Sequence, residues 1–182
     1  YLYSSYGYIL LSAVIERAGN QSFFDQIKRR IAIPLGMNSL QLDVPYEGQP
    51  NWSKGYVKIS DTIVPAPDLH HDWKFGAGAF KSTIGDFALF AKALINHSLV
   101  TSTSETQMWT NQKTKLNEVT DMGFGFSVSN QKGQKISHSG SQEEVATRMA
   151  LYPQQRKGVV IMCNCRYADP GIFSTIIFTK LK

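Results

Sequence analysis

The chain has 182 residues, of which 42% are hydrophobic, 12% aromatic and 18% charged, and its formal net charge is +5. This length can bury the core of one ordinary domain, and the aromatic content is too high for a disordered chain. No apolar run approaches the roughly 18 residues of a membrane span. The basic residues are scattered, and the densest run is Lys28–Arg30. We therefore predict no nucleic-acid partner and a solvated helix face at Lys28–Arg30.

Helical spacing dominates the first part of the chain. A first helix is predicted over Tyr6–Arg17, followed by an Ala-Gly pair that stops it. A second helix begins after Ser22, which forms a capping box with Asp25, and it ends at Pro34–Met37. The irregular stretch that follows contains a predicted hairpin over Gly55–Pro65.

The hydrophobic period changes from helix to strand in the second half. A helix starts near Ser82 with Thr83 and Asp86 as a capping box, and a short helix is predicted over Glu105–Thr110. Four strands joined by Asn-, Gly- and Pro-containing turns follow, at Phe124–Val128, Lys135–His138, Ala146–Tyr152 and Gly158–Asn164. A helix over Asp169–Leu181 closes the chain. Helices, then an antiparallel meander, then a helix predict an α+β fold.

Two groups of residues raise the question of a metal or redox site. Cys163 and Cys165 lie two apart in a predicted strand, which is poor geometry for a mutual disulfide, so buried free thiols are expected. His70, His71 and Asp72 are adjacent in a polar loop, and adjacent residues rarely converge on one ion. We predict a solvated or cleft-rim loop there, no metal site and no cofactor. Aromatic residues flank the nearby glycines and are expected in the core, namely Trp73, Phe75 and Phe80.

Three short stretches carry the functional signal. They are Tyr3-Ser4-Ser5-Tyr6-Gly7, Gly76-Ala77-Gly78 with Ser82-Thr83 behind it, and His138-Ser139-Gly140-Ser141. In type and order they resemble the serine β-lactamase and penicillin-binding-protein superfamily. The resemblance is to its class C-like branch, with esterases, D-amino-acid peptidases and mitochondrial serine β-lactamase-like proteins. It implies a serine hydrolase that forms an acyl-enzyme from ester or amide bonds of a small-molecule or peptide substrate.

The resemblance assigns three candidate catalytic residues. Tyr3 matches the Tyr of the family's Y-x-N motif, Ser5 stands where Asn is usual, and His138 occupies the Lys position of a K-T-G-type motif. Ser5 is shorter than Asn and lacks its amide. His138 makes the cationic character of the strand depend on pH, because an unperturbed histidine titrates near about 6.5. Both departures favour an ester or peptide hydrolase over an efficient β-lactamase.

The resemblance also assigns substrate-binding residues to the third stretch. Ser139, Gly140 and Ser141 would line the cleft on an edge strand whose main chain pairs with an extended acyl group. Gly140 would permit close approach of the substrate backbone. Ser141 would supply a backbone N–H to the oxyanion hole.

The family's nucleophile motif, S-x-x-K, precedes Y-x-N, and here only Tyr1 and Leu2 precede Tyr3. The literal match Ser129-Asn130-Gln131-Lys132 lies between predicted strands, whereas the chemistry needs a helix N-terminus. Residues 1–182 are therefore expected to be the C-terminal portion of one serine β-lactamase-like domain, without its N-terminal strands and S-x-x-K helix. The chain alone should be inactive. The alternative is a non-catalytic β-lactamase-like binding or scaffold protein.

The resemblance bears on assembly and location as well. Family members complete their sheet beside the last strand with strands from near the N-terminus, so Val159–Asn164 would expose an edge. We expect dimerisation, strand exchange or low solubility, and a homo-oligomer would form through this edge. Relatives are often periplasmic or membrane-associated, but the 182 residues contain no readable signal, so the location stays open.

Overall fold

The computed structural model describes residues 1–44, 52–67, 71, 73–131 and 133–181. The chain divides into two compact units. We call Leu2–Ser53 with Pro67–Phe90 the helical unit, and Lys54–Ala66 with Ala91–Lys182 (joined by Tyr1) the sheet unit. Helices and antiparallel strands make up the structure, which confirms the predicted α+β class.

The helical unit opens with helix α1, Ser5–Gly19. Its N-cap is Ser4, whose Oγ accepts a hydrogen bond from the Gly7 N–H at 3.1 Å, and it ends at Asn20 in the left-handed region (φ 47°). The 3₁₀ turn Phe75–Ala77 packs closely on α1. A Cβ on Gly76 would lie 2.4 Å from the Tyr8 carbonyl oxygen, so only glycine permits this approach.

A second helical segment follows the predicted capping box. Ser22 Oγ accepts from the Asp25 N–H at 3.1 Å and starts helix α2, Phe23–Ile27. The chain continues through a π-helical turn at Lys28–Ala32 into the short helix α3, Ile33–Leu35. The three basic residues at 28–30 are exposed, as predicted.

The rest of the helical unit is held together by pairing between residues distant in sequence, which the sequence pattern does not predict. Strand β1, Gln41–Leu42, pairs antiparallel with strand β4, Phe80–Lys81. Helix α4, Ile84–Ile95, begins in this unit and continues into the sheet unit. Ser39 donates to the buried Asp86 carboxylate from both its N–H and its Oγ, each at 2.7 Å. The Asp86 N–H lies 3.3 Å from Thr83 Oγ1, which confirms that capping box.

The sheet unit is built on a four-stranded antiparallel sheet in the order β5-β6-β7-β8. Its elements are β2 (Tyr56–Ile59), β3 (Thr62–Pro65), α5 (Ser102–Met108), β5 (Ser127–Ser129), β6 (Lys135–Ser141), β7 (Ala146–Tyr152), β8 (Lys157–Cys163) and α6 (Pro170–Lys180). Strands β2 and β3 form the predicted hairpin. The side chains of Ile136 and Leu151 pair across β6 and β7 and have no exposed surface, which marks the core of this unit.

Several side chains differ in burial from the predictions. Trp73 was expected in the core, but it is 59% exposed, and the Lys74 ammonium lies 5.6 Å from its ring centroid. Phe75 and Phe80 are half-buried. His71 is buried rather than solvated, and its neighbours 70 and 72 lie outside the described residues.

The cysteines are free, as predicted, but half-buried rather than buried. The physical reason is that Cys163 is the last residue of β8 and Cys165 lies two residues beyond it, bridged to Tyr56, so both are at the margin of the sheet and not in its core. Burial still raises the pKa of the Cys163 thiol. No helix in the described parts of the chain is both long and apolar enough to cross a membrane.

Candidate active site

The third sequence stretch lies on strand β6, which extends further than predicted. The prediction ended the strand at His138, but β6 continues to Ser141 because Gly140 pairs with Thr147 and Ser141 with Ala146 on β7. The turn between the two strands is closed by the Gln142 N–H, which donates to the Val145 carbonyl at 3.0 Å. All four candidate residues on this strand therefore belong to one regular ladder.

The expected edge strand needs a correction. Strand β6 lies inside the sheet, between β5 and β7, because β5 pairs with its first residues, from Lys135 to Ser137. Strand β5 is only three residues long, and the chain before it folds back at Gly125 (φ 80°). As a result, no described strand covers the β5 side of residues 138–141. We call residues 138–141 the open edge. On this side their main-chain N–H and C=O groups have no partner strand among the described residues, as in an edge strand.

Burial falls along the strand towards the open edge. Ser137 is buried, with 2% of its surface exposed, His138 is half-buried, and Ser139, Gly140 and Ser141 are exposed. The main chain of the open edge is thus accessible, and it directly follows Ser137, which is fixed in the core.

His138 is held towards its neutral form. Partial burial lowers the pKa of its imidazole below 6.5, and the positive charge of Arg148 lowers this pKa further, while a hydrogen bond with the Ser139 backbone opposes the shift. A neutral imidazole has one donor and one acceptor nitrogen. Near neutral pH His138 is therefore not the fixed cation that a lysine would be in the same place.

Arg148 is a residue of this site that the sequence reasoning missed. It lies on β7 directly opposite Ser139, and its guanidinium donates to Ser139 Oγ at 2.5 Å and to Ser137 Oγ at 3.1 Å. The sequence contained a usable signal, since a short turn between two predicted strands fixes which residues face each other. Because the predicted strand ends at His138, the prediction does not include the pairing of Ser139 with Arg148.

Gly140 has a packing role in addition to the predicted one. A Cβ at this position would lie 2.6 Å from Thr147 Oγ1 on the neighbouring strand, which is too close for an ordinary contact. A side chain at Gly140 would therefore force the Thr147 hydroxyl to move, and the glycine also leaves the strand surface clear.

The first sequence stretch belongs to the helical unit. Tyr3 precedes helix α1 and is 57% exposed, whereas Ser5 is the first residue of α1 and is exposed. The N-cap hydrogen bond is made by Ser4 and leaves the Ser5 hydroxyl out of the cap. The catalytic roles assigned to Tyr3, Ser5 and His138 remain predictions.

The literal S-x-x-K match does not have the geometry of a nucleophile. Ser129 lies in strand β5 and pairs with Lys135, and Lys132 falls outside the described residues. No helix begins at Ser129. Among the described residues, no group of three His, Cys, Asp or Glu side chains is arranged to hold a metal ion.

Comparison with known proteins gives a consistent picture. The sequence model of the Beta-lactamase family matches residues 1–175. Penicillin-binding protein 4* of Bacillus subtilis (strain 168) is 30% identical over 178 residues, which cover 90% of this chain and 40% of that protein. The mouse mitochondrial serine beta-lactamase-like protein LACTB is 32% identical over 99 residues, or 52% of this chain and 17% of that protein.

Solved structures share the fold. The octameric penicillin-binding protein homologue from Pyrococcus abyssi superposes with a TM-score of 0.86 at 23% identity, covering 100% of this chain and 42% of that chain. The chain thus spans less than half the length of this structure and of the curated relatives above. The match to the family model extends over nearly all of the sequence, from Tyr1 to Thr175. This chain belongs to the beta-lactamase family.

Proposed function

We propose that the protein containing this chain hydrolyses ester or amide bonds of a small-molecule or peptide substrate through an acyl-enzyme on a serine. The observation that carries the proposal is the open edge at residues 138–141, where an accessible strand segment directly follows the buried Ser137. An extended acyl group can add to such an edge by main-chain hydrogen bonding. The Ser141 N–H is our candidate for an oxyanion donor.

The neutral form of His138 supports an ester or amide hydrolase over an efficient β-lactamase. A lysine at this position would present a fixed positive charge, while the neutral imidazole presents a hydrogen-bonding group. Tyr3 and Ser5 would contribute proton transfer and substrate positioning from the start of α1. A D-stereospecific amidohydrolase from a Streptomyces species shares the fold, with a TM-score of 0.78 at 18% identity, covering 94% of this chain and 52% of that chain.

We propose further that the nucleophilic serine and its lysine lie outside these 182 residues. The one S-x-x-K match in the sequence places Ser129 within a strand, away from any helix N-terminus. On this proposal the isolated chain does not turn over substrate, and the longer protein does.

Steady-state assays with p-nitrophenyl esters, a D-amino-acid p-nitroanilide and nitrocefin test the proposal. The longer protein should hydrolyse the first or second substrate faster than nitrocefin, and the isolated chain should hydrolyse none of them. Turnover by the isolated chain that survives Ser129→Ala would contradict the placement of the nucleophile. Nitrocefin as the best substrate would contradict the preference for esters and amides.

A non-catalytic binding or scaffold protein is the second candidate, favoured by the departures from the family motifs at Ser5 and His138. A fluorophosphonate probe distinguishes the two functions because it reacts covalently with an activated serine. Labelling of the longer protein supports the hydrolase, and absence of labelling together with absence of turnover supports the binding protein.

Self-association through β8 remains part of the proposal. Strand β8 is the last strand of the sheet in the described residues, and Met162 on it is 41% exposed. The penicillin-binding protein homologue from Pyrococcus abyssi, which shares the fold, is octameric. Light scattering after size-exclusion chromatography should give a mass above that of one chain, and Met162→Lys should reduce it. A monomer at all concentrations would exclude this role for β8.

A further inference from the structure

The guanidinium of Arg148 bridges two serines of the candidate active-site strand. It donates to Ser139 Oγ at 2.5 Å and to Ser137 Oγ at 3.1 Å, and its Nε is buried without a hydrogen-bond partner in the described part of the chain. Ser137 is buried, with 2% exposure, so one end of the bridge is fixed in the core. The other end is fixed on the exposed Ser139.

The chemistry of the two groups determines how Ser139 can act. A guanidinium has only donors, whereas a serine hydroxyl has one donor hydrogen and two acceptor sites. Arg148 therefore occupies an acceptor site of Ser139 Oγ. The Ser139 O–H must then point to another acceptor, and at the exposed open edge a bound substrate can supply it.

Arg148 also brings a charge that the sheet unit does not neutralise. No carboxylate of the described residues forms an ion pair with it; the acidic side chains that form ion pairs in this part of the structure contact Lys58, His97 and Arg166. An arginine stays protonated at every pH of interest. The permanent cation directly opposite Ser139 is therefore Arg148 on β7, and position 138 does not supply it.

We propose that Arg148 is a positioning residue that orients the Ser139 hydroxyl as a hydrogen-bond donor to the substrate. The inference rests on the proposed hydrolase function and names a residue outside the three sequence stretches. Arg148 acts through Ser139 and does not itself contact the reacting atoms.

A double-mutant cycle in the longer protein tests this inference with a p-nitrophenyl ester as substrate. Arg148→Met should raise KM about tenfold, the effect of losing one charge-assisted hydrogen bond, with a smaller change in kcat. Ser139→Ala should have a similar effect, and adding Arg148→Met to it should change KM little further. Arg148→Lys should restore part of the loss, because an ammonium can reach one hydroxyl but cannot bridge two.

The matched control is Arg156→Met, which removes the same charge from an exposed arginine that donates to Asn96 Oδ1 at 3.1 Å. It should leave KM unchanged. A second readout needs no turnover: in an NMR titration, the pKa of the His138 imidazole should rise in Arg148→Met and not in Arg156→Met, because Arg148 lowers it.

The outcomes separate this inference from the function on which it rests. Strictly additive effects of Arg148→Met and Ser139→Ala overturn positioning through Ser139, as does an unchanged KM in Arg148→Met. An unchanged His138 titration in Arg148→Met overturns the placement of the guanidinium. If the unaltered longer protein hydrolyses neither esters nor amides, the proposed function fails first, and the positioning role fails with it even where the His138 shift is observed.

Discussion

The contact between Gly140 and Thr147 makes a prediction whose sign depends on the background. A Cβ added at Gly140 would lie 2.6 Å from Thr147 Oγ1 but 3.9 Å from Thr147 Cβ, so the hydroxyl alone causes the clash. Overpacking of this kind costs about 1–3 kcal/mol. Replacing a strand glycine by alanine returns about 0.5–1 kcal/mol through the lower entropy of the unfolded chain. We expect Gly140→Ala to lower the free energy of unfolding by roughly 0–2.5 kcal/mol.

In a Thr147→Ala background the clash is absent and only the entropic gain remains. There Gly140→Ala should stabilise by about 0.5–1 kcal/mol, measured by urea denaturation of all four proteins of the cycle. Gly85→Ala on α4 is the control for the entropic gain, because the nearest heavy atom to an added Cβ there is 3.8 Å away. It should stabilise the protein by about 1 kcal/mol. A loss of stability from Gly140→Ala that persists without the Thr147 hydroxyl would refute the steric reasoning. Any loss of ester hydrolysis in the Thr147→Ala background would report substrate approach and not folding.

Three further predictions follow from single contacts. Because the folded-state pKa of His138 is lowered from 6.5, the unfolded chain binds more protons, so stability should fall as pH drops below about 6.5 and continue to fall until the folded-state pKa is passed. His138→Gln should flatten this part of a stability profile measured by denaturant titration, and an unchanged profile would argue against the shift. Ser39→Ala removes a 2.7 Å hydrogen bond to the buried Asp86 carboxylate. It should lower the free energy of unfolding by about 1.5–3 kcal/mol, measured by thermal unfolding. A loss as small as that from replacing an exposed serine would show that Asp86 finds another partner. Ser129→Ala should leave fluorophosphonate labelling of the longer protein intact, since Ser129 lies in β5; lost labelling would make it the nucleophile.

Much of the fold could be predicted because local rules agree with the final structure. The capping serine at position 22 and the capping box at Thr83 and Asp86 start helices where predicted. Strand β7, Ala146–Tyr152, has the predicted bounds. Each of these signals depends on residues within a few positions, where the chain's own propensity decides the outcome.

The remaining features depend on partners that are distant in sequence. The pairing of β1 with β4 joins residues about 40 positions apart with only two residues on each strand, too short for any periodic pattern. Trp73 has the residue type of a core position, yet it is 59% exposed, and residue type alone does not determine burial. Within the candidate site, the motif residues were visible in the sequence, but the contribution of Arg148 depends on cross-strand register, which emerges only when β6 extends to Ser141.

The short strand β5 has a consequence for ligand size. The open edge of β6 covers residues 138–141, a length of about 13 Å at roughly 3.3 Å per residue. In a strand, alternate residues turn both their N–H and C=O to a given side, so two of these residues face the open side. An extended ligand can therefore form ladder hydrogen bonds over a dipeptide-sized length. Gly125 has a positive φ, and the chain turns away there before Ser127. This glycine therefore sets the length of ligand that can pair with the open edge, although it lies outside every recognised motif.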